Sequence, residues 1–258
     1  MIGVFDSGIG GLTVVKELSK KLPNYRMIYF GDTAHLPYGT KSKKAVREFS
    51  DQALNFLIKQ GAKIILIACN TSSAQAADYL RKKHPGTLIV DVISPALDKI
   101  KKMNLKKIGL IATPGTIKSK TYQKKLKKMH KIVISQATPL LVPFIEEGIV
   151  RGDILQAVLK IYLKPFEKNI DGIILGCTHY PLIEKSIKNI LPKDALLINP
   201  SKIIVERLIE FLKNNKSLDK KLKQGHKYDF FVSDDPYKFE TLSRLALGKK
   251  IKAQIVRL

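Results

Sequence analysis

The sequence has no tryptophan, only two cysteines in 258 residues, and fewer than half as many acidic as basic side chains. The cysteines, Cys69 and Cys177, stand 108 positions apart. That spacing excludes Cys-x-x-Cys zinc modules and disulfide-stapled scaffolds, and no metal site is expected. Long apolar runs are also missing. The purest stretch, residues 64–69, is far too short to cross a bilayer, and Asp6 interrupts the N-terminal segment before a signal-peptide core could form. A soluble, cytoplasmic protein with no membrane partner is predicted. Its 45% hydrophobic content excludes wholesale disorder and collagen, and its length supports a core without staples.

Arginine is scarce as well: 7 Arg stand against 39 Lys in a chain of formal net charge +24. Such a field draws nucleic acid, anionic lipid or small anions. Base readout and bidentate phosphate clamping favour Arg, however, whereas scattered Lys reads as a solvated surface. Residues 99–131 concentrate twelve Lys with no acid. A basic nucleic-acid-binding protein is therefore an alternative reading, and no obligatory nucleic-acid partner is expected.

What is present is a regular alternation. Short β-branched runs at 2–5, 27–30, 64–68, 88–92, 107–112, 132–135, 172–175 and 196–199 read as strands. Between them, Leu12, Val15, Leu18 and Leu22 recur at helical spacing, as do Ala45, Phe49, Ala53 and Phe56. This alternation predicts a layered α/β fold with mostly parallel sheets. An internal echo accompanies it. Ile2-Gly3-Val4-Phe5-Asp6 resembles Ile108-Gly109-Leu110-Ile111-Ala112, and Ile65-Leu66-Ile67-Ala68-Cys69 resembles Ile173-Ile174-Leu175-Gly176-Cys177, at offsets of 106 and 108. Two motif pairs at nearly one offset point to a duplicated half. Because ligands of open α/β sheets sit beyond the carboxyl ends of strands, Asp6, Asp32, Cys69, Thr113 and Cys177 fall where chemistry is expected.

Three motifs carry candidate chemistry. Asp6-Ser7-Gly8-Ile9-Gly10-Gly11 is a glycine-rich strand-to-helix turn that does not match dinucleotide spacing, so it serves either ligand contact through Asp6 and Ser7 or a tight turn. Residues 31–40 form a polar loop holding Asp32, His35, Tyr38 and Gly39; His35 alone reads as structural or solvated. Ala68-Cys69-Asn70-Thr71 and Gly176-Cys177-Thr178-His179 each end an apolar strand with Cys at a helix start, where dipole and amide donors are expected to lower the thiol pKa. His179 could partner Cys177. Glu146-Glu147 follows an apolar segment, and spacing does not choose which acid faces inward.

Taken together, Asp6-Ser7-Gly8 with Gly10-Gly11, the loop from Gly31-Asp32-Thr33 to Pro37-Tyr38-Gly39, Ala68-Cys69-Asn70-Thr71, Val142-Pro143 to Glu146, and Leu175-Gly176-Cys177-Thr178-His179-Tyr180-Pro181-Leu182 resemble the cofactor-independent glutamate racemases of the aspartate/glutamate racemase superfamily. The resemblance covers nearly the whole chain. It implies two pseudo-symmetric α/β domains, 1–95 with 207–258 and 96–206, with the active site between them. It implies no cofactor and a reaction that interconverts L- and D-glutamate for peptidoglycan synthesis. Cys69 and Cys177 would be the acid/base thiols, assisted by Asp6, His179 and Glu146. Substrate contacts would come from Asp6, Ser7, Tyr38, Gly39, Asn70, Thr71, Thr178 and His179. Thr138-Pro139 stands where relatives often have Cys-Pro, and Asn199-Pro200-Ser201 replaces an Asp-Ser-Gly-like turn. No long extension precedes the first strand, so activation by a cell-wall precursor is not expected. Aspartate as substrate, a pyridoxal-phosphate route through a Lys, and self-association into a homodimer stay open.

Overall fold

The computed structural model describes residues 1–168, 170–222 and 225–258. Ten strands follow in chain order: β1 (Ile2–Asp6), β2 (Met27–Gly31), β3 (Ile64–Ile67), β4 (Leu88–Asp91), β5 (Lys107–Ala112), β6 (Ile132–Ala137), β7 (Gly172–Gly176), β8 (Leu196–Ile198), β9 (Tyr228–Val232) and β10 (Gln254–Ile255). The helices between them are α1 (Leu12–Lys21), α2 (Lys43–Lys59), α3 (Asn70–Gln75), α4 (Ala77–Lys83), α5 (Ile93–Lys101), α6 (Pro114–Ser119) and α7 (Thr121–Lys128). They continue as α8 (Leu141–Glu146), α9 (Asp153–Leu163), α10 (Glu184–Lys188), α11 (Pro200–Asn214), α12 (Lys216–Lys221) and α13 (Pro236–Leu247).

Eight of the strands fall where the apolar runs predict them. β9 and β10 were not anticipated. The Tyr-Asp-Phe-Phe-Val run of β9 follows a long polar, Lys-rich stretch and carries a charge, and β10 is a two-residue edge strand with both residues exposed. Neither offers much periodicity to read.

All strand pairs are parallel, in a six-stranded sheet of order β10-β9-β2-β1-β3-β4 and a four-stranded sheet of order β6-β5-β7-β8. The order β2-β1-β3-β4 is thus repeated as β6-β5-β7-β8. The two echoed sequence pairs are β1 with β5 and β3 with β7, so Cys69 and Cys177 leave equivalent strands of the two sheets.

Strand alternation explains how the sheets are joined. On β1, Ile2 and Val4 point to one face and Phe5 to the other; on β3, Ile64 and Leu66 oppose Ile65 and Ile67. The Ile2 and Ile64 faces share one apolar core with Ile108 and Leu110 of β5 and Ile174 of β7, filled in by Leu18 of α1, Leu97 of α5 and Leu208 of α11. The outer faces have separate cores, one under α2 and α4, the other under α8, α9 and α10. The chain passes between the sheets through α5 and α11, and residues 95/96 and 206/207 lie inside these continuous helices. Asp91 at the end of β4 starts α5, accepting from the Ile93 and Ser94 N–H groups at 2.8 and 2.9 Å.

Leu208 is fully buried in the shared core. Leu208→Ala should lower stability by about 2–5 kcal/mol, and urea unfolding followed by both far-UV and tyrosine signals should remain one transition. Two separated transitions would show that the sheets fold independently of their common core.

Candidate active site

A cavity of 250 Å³ opens where the carboxyl ends of the two sheets meet. From the first half it receives Ser7 after β1, Tyr38 and Gly39 from the 31–40 loop, and Cys69, Asn70 and Thr71 after β3; from the second it receives Cys177, Thr178 and His179 after β7, with Glu146 from α8. Both thiols therefore line one wall system from opposite halves. Asp6, anticipated as a direct substrate contact, is absent from the wall. It is fully buried, its Oδ2 accepts from the Gly8 N–H at 3.1 Å, and its Oδ1 accepts from the Thr178 hydroxyl at 3.3 Å, so it reaches the cavity through Thr178.

The glycine turn works by close approach. A Cβ on Gly10 would come within 2.5 Å of His179 Nδ1, and one on Gly11 within 2.5 Å of the Asp6 Cβ. Neither glycine has a positive φ. The missing side chain, rather than an unusual backbone conformation, lets Gly10 touch the opposite half and Gly11 close against Asp6 and Tyr29 of its own half. Gly39 plays the same part in the loop: a Cβ there would meet the Thr113 Cβ at 2.7 Å. The loop is itself hung on Asp32, whose carboxylate accepts from Tyr38 at 2.5 Å, Ser233 at 2.7 Å and His35 at 2.9 Å. Ser233 directly follows β9, one of the strands not legible beforehand. His35 stacks on Phe49 at 3.9 Å and does not line the cavity. With its hydroxyl held by Asp32, and burial and that carboxylate both raising its pKa, Tyr38 is a neutral wall residue.

The two thiols have different surroundings. Cys69 caps α3, accepting from the Ser72 N–H at 3.5 Å and donating to the Ser7 hydroxyl at 3.5 Å. A lowered thiol pKa was expected here. Instead burial, reinforced by the charge of Asp6, pushes it up to about 11. Helix α3 is only six residues long and its single long amide contact does not offset desolvation. Asp6 is raised too, chiefly by burial, against the opposing pull of His179. Cys177 lies 3.6 Å from His179 Nδ1, and His179 Nε2 lies 3.0 Å from Glu146. Burial alone would lower the imidazole pKa, but the hydrogen bonds and negative charge of Cys177 and Glu146 reverse this and push it up to about 10. Glu146 is thus the inward acid of the pair; Glu147 stays exposed on the rim, paired with Lys238 of α13 at 3.0 Å.

Residues not anticipated as wall groups include Thr138, Pro139 and Val142. Thr113 had been recognised only as a strand end; its hydroxyl caps α6 and lies 2.9 Å from that of Thr71. Among the described residues no Lys or Arg lines the cavity, despite the +24 chain. No cluster of three or more metal-binding side chains occurs among them, and no helix is long and apolar enough to cross a membrane.

A model of the Asp/Glu/Hydantoin racemase family matches residues 7–208. The chain belongs to this family. It is 39% identical to a glutamate racemase of Aquifex aeolicus over 98% of this chain and 96% of that one, and 41% identical to one of Aquifex pyrophilus over 96% and 94%. A solved glutamate racemase of Francisella tularensis, in complex with D-glutamate, is 43% identical and superposes with a TM-score of 0.90 over 99% of this chain and 96% of that one. These relationships make the protein an amino-acid racemase, an isomerase.

Because its pKa is raised above the ordinary 6.5, His179 contributes stability that is complete below that value and is lost as pH rises through about 10. Nitrogen-15 NMR of labelled histidine should show this ring still protonated at pH 8, and Glu146→Gln should lower its midpoint. A ring titrating near 6.5 in the unaltered protein would contradict the Cys177–His179–Glu146 arrangement.

Proposed function

We infer that the protein interconverts L- and D-glutamate with two thiol bases and supplies D-glutamate for peptidoglycan synthesis. The observation that carries this reading is the approach of Cys69 and Cys177 to one cavity from equivalent strand ends of the repeated halves. The D-glutamate bound by the Francisella tularensis relative supports glutamate as substrate. Aspartate has weaker support: the aspartate racemase of Picrophilus torridus, at 17% identity and a TM-score of 0.61, shares the fold alone. The division into domains 1–95 with 207–258 and 96–206 belongs to the same reading, with α5 and α11 as the crossings. A cytoplasmic location fits it as well.

The raised His179 favours an imidazolium, its Nδ1–H toward the Cys177 sulfur and its Nε2–H toward Glu146, placed to balance negative charge on that sulfur. Cys69, held at about 11, is the neutral thiol opposite. In one direction the Cys177 thiolate takes the α-proton, forming S–H as Cα–H breaks, and the electron pair left on carbon spreads into the carboxylate. The Cys69 S–H then delivers a proton to the other face of Cα. The protonation states of the two sulfurs have exchanged, which prepares the reverse direction, and Asp6 is the buried carboxyl whose charge keeps Cys69 protonated until it donates. Donors from Asn70, Thr71 and Thr178 in the cavity wall meet the growing charge on the carboxylate as preorganised dipoles. Among the described residues, the wall offers no Lys amine for condensation with a pyridoxal aldehyde.

In heavy water, product formed early should carry deuterium at Cα while unreacted substrate stays unlabelled. Cys69→Ser and Cys177→Ser should each lower kcat in both directions by about 10²–10⁴-fold or more. Equal early labelling of both pools, or near-normal turnover in either variant, would defeat the two-thiol reading, and a chiral assay with both amino acids decides between glutamate and aspartate.

A further inference from the structure

The role of Asn70 depends on which end of its amide faces the substrate, and that choice is made by a residue outside the cavity. Tyr122 of α7, fully buried in the second half, donates its hydroxyl to Asn70 Oδ1 at 2.8 Å. Asn70 is the first residue of α3, next to Cys69, and lines the cavity. Its Nδ2 makes no hydrogen bond with the described residues, yet it is not one of the sealed-off polar atoms without a partner. With Oδ1 engaged by Tyr122 and Asn70 in the cavity wall, the donor end of the amide is the end left for a ligand. A phenol carries one donor hydrogen, and an amide has one acceptor end and one donor end, so occupying the acceptor end fixes where the donors point.

Holding the helices together does not require this bond. The Thr121 hydroxyl donates to the Ala74 carbonyl at 2.9 Å, Gln75 Nε2 donates to the Gly115 carbonyl at 3.2 Å, and Thr71 meets both Thr113 and Thr116. Burial, with the charges of Asp91 and Cys177, holds the Tyr122 phenol well above its ordinary pKa, so it remains a donor throughout the working range.

We propose that Tyr122 is a positioning residue for racemisation: by engaging Asn70 Oδ1 it turns the Asn70 amide N–H groups toward the substrate α-carboxylate. This rests on the two-thiol reading above. Without the phenol hydroxyl the amide is free to turn half a revolution and present a lone-pair oxygen to a carboxylate. The penalty grows as negative charge develops there in the transition state.

The test is a double-mutant cycle on the full chain, with kcat and KM for glutamate from a chiral assay and urea midpoints alongside. Tyr122→Phe should lower kcat/KM by about 10–100-fold, the range for a lost hydrogen bond to a charged group. Asn70→Ala should lower it by a similar factor. In the Asn70→Ala background Tyr122→Phe should cost less than about 2-fold, since independent sites would multiply their losses. A wild-type chain that does not racemise glutamate sinks the functional reading itself. An active wild type with multiplicative losses in the double variant, or an unchanged kcat/KM in Tyr122→Phe, overturns the role of Tyr122 alone. Should Tyr122→Phe fail to fold, Asn70→Asp still decides: it keeps an acceptor for Tyr122 but offers no N–H to the cavity, so KM should rise while the urea midpoint holds. Unchanged kinetics in that variant overturn the proposal.

Discussion

A single apolar core between two parallel sheets is the constraint on which the site depends. Ile2, Val4, Ile64 and Leu66 from one sheet and Ile108, Leu110 and Ile174 from the other are buried against the same helices, α1, α5 and α11. Burying these faces together leaves the sheets little freedom to turn, and it aims both sets of strand carboxyl ends at one space. The close approach at Gly10 and the seating of Gly39 on Thr113 are consequences of that alignment. So is the series of side-chain bonds that ties α3 to α6 and α7, although α3 follows a strand of the other sheet.

Within this frame the halves repeat topology but not electrostatics. Each thiol follows the third strand in its half, yet one lies beside a buried carboxyl and the other beside an imidazole braced by Glu146. Desolvation dominates at Cys69, whereas at His179 charged partners outweigh it. Backbone duplication supplies the symmetry, and the neighbouring side chains give each sulfur a different electrostatic setting.

Much of this was legible in the residues themselves. The periodicity of Ile64-Ile65-Leu66-Ile67 and its echo at Ile173-Ile174-Leu175 announces paired strands, and a Cys after each locates the chemistry, because strand ends in parallel sheets have a defined place. What could not be read depends on distance in space. The upward pKa shift of Cys69 comes from its burial in the folded chain and from the nearby charge of Asp6, which no local pattern encodes. Tyr122 sits in the Lys-rich helix α7, 52 residues from its partner Asn70, and Ser233 reaches Asp32 across 201 positions. Asp6 withdrew behind Thr178 because Gly8 and Gly11 draw its carboxylate into the turn. The choice between Glu146 and Glu147 needed the position of His179.

The contrast between a Lys-rich exterior and a chamber whose described wall holds no Lys or Arg has a thermodynamic reading. Mirror-image forms of an amino acid have equal free energies in water, so an enzyme exchanging them gains nothing by gripping either one hard. The exterior field can hasten the arrival of an anionic amino acid at low ionic strength. Neutral hydroxyl and amide donors inside would then let the inverted molecule depart as readily as its antipode entered.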